Sequence, residues 1–162
     1  MTDRPFVAPV RKVAGGYALG FQPEERELLA RLLGELRALL VTEGDDHELL
    51  LDRLFPPAYP DDAEAEAEYQ RLMREELVTT RVASIDMVVE VLEAEATPVL
   101  DESQTLAFMQ SVNAVRLVLG SMLGIVDDDS AEHADDGTSP EHQLYGYLGW
   151  TLEWTVRALS DT

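Results

Sequence analysis

QTLAFMQSVNAVRLVLGSMLGIV, residues 104–126, decides the fold. Phe108, Val112, Val115, Leu119 and Met122 recur at steps of four and three, so they share one helical face. Leu106, Met109, Leu117, Val118 and Leu123 fill much of the remaining circumference. A helix that is apolar nearly all round is either buried or in a membrane. Gln110, Asn113 and Arg116 interrupt this run and leave it too short and too polar to span a bilayer. The stretch therefore reads as the central helix of a soluble helical domain.

Its flanks agree with that reading. Asp101 or Ser103 is suited to cap its start, with Leu100 as a hydrophobic staple. Gly120 and Gly124, four residues apart, suggest a close helix crossing or a helix end. Asp127–Ser139 holds six acidic residues and no large apolar side chain, and reads as an acidic flexible loop. Ser139-Pro140-Glu141 then opens a last helix over 140–160. At about 100° per residue, Leu144, Leu148, Leu152, Thr155 and Leu159 occupy one sector and Tyr147, Trp150 and Trp154 the next. The apolar arc is roughly 260° wide, more than one neighbouring helix covers. Either this helix runs through the middle of the domain, or its aromatic side meets a second subunit or a partner.

Upstream, residues 62–96 show apolar residues at helical spacing: Tyr69, Leu72, Met73, Leu77, Val82, Ile85, Val88 and Leu92. They read as two consecutive helices, or one bent at Val78-Thr79-Thr80, where β-branched residues lower helix propensity. Asp61 or Asp62 caps the start and Thr97-Pro98 marks the end. The three prolines of FPPAYPDD, 55–62, force an extended connection. A short helix precedes it, capped by Asp45 or Asp46 and ending near Phe55. The first helix opens at Gln22-Pro23, carries a row at Leu28, Leu32, Leu36 and Leu40 widened by Leu29, Leu33 and Leu39, and stops near Gly44. Residues 6–21 are extended, and Gly15-Gly16 suits a hairpin turn pairing Val10–Ala14 with Tyr17–Phe21. The expected fold is a single mainly α domain over 1–162, a bundle of five to six helices. A small N-terminal β-hairpin occupies 6–21, the helical core 22–126, and a C-terminal core helix 140–160.

The chain has 162 residues, enough to bury a real core, and its 46% hydrophobic content is that of a globular protein. Its formal net charge is −20. Arg4, Arg11 and Lys12 against Asp3 make residues 1–20 locally +2, so the rest carries −22. Such a surface repels phosphate backbones and anionic membranes and suits basic protein partners. Direct nucleic-acid binding is therefore not expected, because the only basic cluster is those three residues and no helix is basic. There is no cysteine, which excludes disulfides and thiol redox chemistry and fits a cytoplasmic protein.

No constellation points to catalysis. There is no G-x-S-x-G, no phosphate-binding glycine loop and no G-x-G-x-x-G. The acidic run from Asp127 departs from a calcium loop, with Ala131 at its fifth position and Glu132 where glycine is required. The three histidines, His47, His133 and His142, form no helical metal-ligand pair. Neither cofactor, metal nor enzymatic activity is expected. Arg116 is the one charge between Asn113 and Val126, and a guanidinium there needs carboxylates, carbonyls or a ligand.

Three stretches, LFPPAYPDDAEAEAEYQRLMREEL at 54–77, NAVRLVLGSMLGI at 113–125 and YGYLGWTLEWTVRAL at 145–159, resemble an actinobacterial family known as domain of unknown function 2017. The opening FVAPVRKVAGGYALGF is similar to that family's N-terminus. Members are described as oxidative-stress transcriptional regulators of the AosR type. The resemblance implies a small cytoplasmic regulator that acts by protein contact, with a sigma factor as partner; the wide apolar arc of the last helix adds the expectation of a homodimer. The gene neighbourhood of such proteins implies an alternative, an adaptor in protein turnover or sulfur metabolism. Tyr147, Trp150 and Trp154 are the expected partner or dimer surface, and Arg116 the expected buried charge. With no cysteine, this chain cannot sense an oxidant through its own thiols.

Overall fold

The computed structural model describes residues 6–42, 54, 58–96, 98–124 and 139–161. Two strands come first, β1 (Val10–Val13) and β2 (Gly16–Leu19), followed by helices α1 (Pro23–Val41), α2 (Ala63–Glu93), α3 (Glu102–Met122) and α4 (Pro140–Ser160). The described residues thus hold four helices, not five to six. One reason is that residues 63–93 form one continuous helix rather than two. Val78, Thr79 and Thr80 cost only tenths of a kcal/mol each in propensity, and no proline or glycine interrupts the 31 residues of α2. The acidic loop from Asp127 and the short helix before Phe55 lie outside the described residues, apart from Leu54, which is helical and buried, and Ser139.

α3 is the centre, as its sequence implies. It packs on α1, α2, α4 and β2. Residues 79–87 of α2 line one cleft with 103–107 of α3 and residues 73–84 line another with Gln110, and Gly120 and Arg116 of α3 lie beside Tyr145 and Gly149 of α4, so both neighbours run antiparallel to it. Phe108, Val112 and Val115 are buried, but Met122 at the end of the same row is 78% exposed. Asp101 caps α3, its Oδ1 accepting from the Gln104 N–H at 2.7 Å while its own N–H donates to Gln104 Oε1 at 2.9 Å. Asp62 and Ser139 cap α2 and α4 through single bonds to the N–H groups of Ala65 and His142, at 3.0 and 3.1 Å. These caps satisfy amides that the first helical turn leaves open.

α1 turns a slightly different face inward than its leucine row implies. Leu29, Leu33, Leu36 and Leu40 are buried, whereas Leu28 and Leu32 are half-buried and Leu39 is exposed. With leucines on both sides of the stripe, packing against α2 and α3 selects the inward sector. Arg37 joins Asp86 of α2 at 2.7 Å across that contact. The N-terminal part of α2 is anchored by Glu66, which accepts from the N–H groups of Ala58 and Tyr59 at 2.8 Å each. Its carboxyl is held below the usual range, first by the Gln70 side chain and then by the Tyr59 amide.

The hairpin register is Val10↔Leu19, Arg11↔Ala18, Lys12↔Tyr17 and Val13↔Gly16. The turn is therefore Ala14-Gly15, one residue earlier than expected, with the pairing shifted by two. Gly15 supplies the left-handed backbone, at φ 88°. Gly16 has a different task. A Cβ there would lie 2.1 Å from the Leu100 carbonyl oxygen. That closeness lets Tyr17 and Leu100 exchange two backbone hydrogen bonds of 2.8 Å, so the α2–α3 connection extends the sheet edge. Leu100 is 1% exposed, so it serves as both sheet partner and core residue. A lone hairpin is marginal in water. This one is held by Leu100 on one edge and by α3 and α4 beneath Val10, Tyr17 and Leu19.

Candidate interaction surface

α4 packs on α3 and β1, at the flank of the bundle. Its deepest residues are Leu148, Thr151, Thr155 and Ala158. The two threonine hydroxyls donate to the carbonyls of Tyr147 and Thr151 at 3.0 and 2.8 Å, so their burial leaves no donor open. The aromatic side of the helix points away from this seam. Trp150 is 39% exposed, and Trp154 and Tyr147 are half-buried.

These rings form one connected cluster. Tyr147 and Trp150 have centroids 6.0 Å apart, and Trp150 and Trp154 meet edge to face at 6.5 Å. Phe6 joins from the N-terminal segment, 6.3 Å from Trp150 and 5.6 Å from Trp154, while 66% exposed itself. Arg157 places its guanidinium 5.2 Å from the Trp154 ring and pairs with Glu153 at 3.0 Å. Tyr147 is the fixed end of the cluster. Its hydroxyl donates to Glu25 Oε2 at 2.7 Å, while Glu25 Oε1 accepts from the Gln22 N–H at 2.9 Å. One carboxylate therefore closes the start of α1 and ties it to α4. Burial, then the hydrogen bond and charge of Glu25, push the Tyr147 phenol well above its ordinary value.

Sequence periodicity places Tyr147, Trp150 and Trp154 together, and the structure brings them together. It does not reveal Phe6, which is 144 residues from Trp150 and belongs to no periodic pattern. Nor does it reveal Glu25, one acid among many. Arg116 lies elsewhere, on the α3–α4 seam. Its guanidinium stacks 4.3 Å from the centroid of Tyr145. Glycines make room on both helices: a Cβ at Gly149 would lie 3.3 Å from Arg116 Nε, and one at Gly120 would lie 2.9 Å from the Tyr145 ring. Arg116 is half-buried, with the ring of Tyr145 beneath its guanidinium.

Among the described residues no helix is long and apolar enough to cross a membrane, and no group of three or more metal-ligating side chains occurs. Three clefts lined by described residues lie along α1, α2 and α3, and none of the three includes a residue of the aromatic cluster. Comparison with curated proteins and with solved structures gives no match. A family model does match, over residues 5–159, nearly the whole length on which the hairpin, the four helices and the aromatic cluster lie: the chain belongs to the family described as Domain of unknown function (DUF2017).

Proposed function

We propose that this protein is a non-enzymatic regulator that acts by protein–protein contact through the aromatic face of α4, with a sigma factor of RNA polymerase as its partner in the manner of an AosR-type regulator. The observation that carries the reading is the Phe6–Trp150–Trp154 cluster, three large rings packed together at the surface of a helix already committed to the core on its other side. Tryptophan-rich patches of this kind supply the few residues that dominate binding energy. The −20 charge favours fast association with a basic partner. In the absence of a partner the same face carries self-association into a homodimer.

The test is affinity capture of the tagged full chain from its host, read by mass spectrometry beside a Trp150→Ala variant. Recovery of a sigma factor or polymerase subunits that is lost in the variant is the expected outcome. Recovery of protease components or sulfur-assimilation enzymes instead supports the adaptor reading. Equal capture by both chains removes the aromatic face from the mechanism.

A further inference from the structure

The N-terminal segment leaves the core in steps. Val10 and Pro9 are buried, Ala8 is half-buried, and Val7 and Phe6 are exposed. Chain ends are ordered only where something ties them down. Two ties hold this one. The first is at Gly20, just past the end of β2. Its N–H donates to the Pro9 carbonyl at 3.0 Å. A Cβ there would lie 2.4 Å from the Ala8 carbonyl oxygen and 2.6 Å from Val7 Cγ1. The backbone of Gly20 is not left-handed, so what glycine supplies is room for the segment to lie close. The second tie is at the tip, where the Phe6 ring rests 5.6 Å from Trp154 and 6.3 Å from Trp150.

The two ties differ in strength. The root is a backbone contact beside buried residues, whereas the tip is a ring contact made by a side chain that keeps most of its surface in water. From Pro9, three extended residues reach about 10 Å. Phe6 can therefore leave both indoles while Pro9 and β1 stay in place. The rings it rests on are the two most prominent members of the aromatic face of α4, so an intramolecular occupant already sits where a contact in trans would form.

We propose that residues 6–9 form a strap that closes the aromatic face from within: Phe6 occupies Trp150 and Trp154 in the free protein, and a contact in trans forms at that face only when Phe6 swings away. The inference rests on the reading of this face as a contact surface and supplies its regulation. Affinity at the face is scaled by the fraction of chains whose strap is open. A strap open in about a third of chains weakens one-to-one binding about threefold, and a dimer, in which both copies must open, about ninefold.

The experiment uses the full chain, whose two tryptophans are both at the strap and report on it directly. Acrylamide, a neutral quencher, is titrated into dilute protein at low salt, where the −20 charge favours the monomer. Phe6→Ala should raise the Stern–Volmer constant by about 1.5-fold or more, because the closed fraction is lost. Gly20→Ala, which lifts Val7 and Ala8 at the root, should act in the same direction. Phe6→Tyr keeps a ring on the indoles and should leave the constant within about a fifth of the wild-type value. Far-UV circular dichroism checks that each variant is folded. Sedimentation equilibrium at higher salt should then show a Phe6→Ala dimer about fivefold tighter or more, a gain lost when Trp150→Ala is added. Unchanged quenching in folded Phe6→Ala overturns the strap. So does a dimer weakened by Phe6→Ala, which would make Phe6 part of the contact surface and not its cover. Higher quenching with no dimer in any chain upholds the strap and counts against self-association at the face; unchanged quenching with a dimer that depends on Trp150 does the reverse.

Discussion

At Gly16 a single hydrogen atom decides whether the hairpin can join the bundle. Any side chain there would occupy the space of the Leu100 carbonyl oxygen. Gly16→Ala should therefore separate Tyr17 from Leu100 and cost about 2–4 kcal/mol, read as a lower urea midpoint. Arg116→Ala removes the cation from the Tyr145 ring. The expected loss of about 1–2 kcal/mol corresponds to a melting temperature lower by roughly 2–6 °C. An unchanged melting temperature would instead return Arg116 to the list of ligand-binding residues. Tyr147→Phe deletes the bond to Glu25 and should cost about 1–2 kcal/mol. The phenol's folded value is raised, so its contribution is complete below the unfolded value near 10 and is lost as pH rises above it. Wild-type stability should therefore fall in alkali more steeply than that of Tyr147→Phe, as alkaline urea titrations of both chains would show.

Elements differ in how much of their form is local. Caps are local: Asp101 and Ser139 are legible because a short acceptor precedes an apolar run, and both act as caps in the structure. Continuity is not. The β-branched triplet in α2 looks like a break, yet a few tenths of a kcal/mol cannot outweigh the hydrogen bonds of an uninterrupted helix. α2 should still be uneven in stability. Amides of 63–80 should exchange with deuterium faster than those of 85–93, because only the latter stretch buries side chains. Equal protection along the helix would mean that residues 63–80 are covered in solution.

For the whole molecule, net charge and the aromatic surface act in opposite directions. Two copies that each carry −20 repel, whereas exposed tryptophan favours their contact. Sedimentation should show a dimer that strengthens as salt screens the repulsion and that is weakened in Trp150→Ala. A monomer at all salt concentrations would leave the face to a different partner alone.

Periodicity and composition by themselves determined the helical class, the central place of α3, the hairpin's existence and the grouping of Tyr147, Trp150 and Trp154. Each follows from residues close in the chain, where spacing fixes which side chains share a face. Only the tertiary structure decided which leucine sector of α1 turns inward, that Leu100 completes the sheet edge at Gly16, that Phe6 closes the aromatic cluster, and that Glu25 holds Tyr147. Those pairs are separated by tens to more than a hundred residues. Their geometry is set by how whole helices pack, and the periodicity of one helix does not say which residue of another it meets.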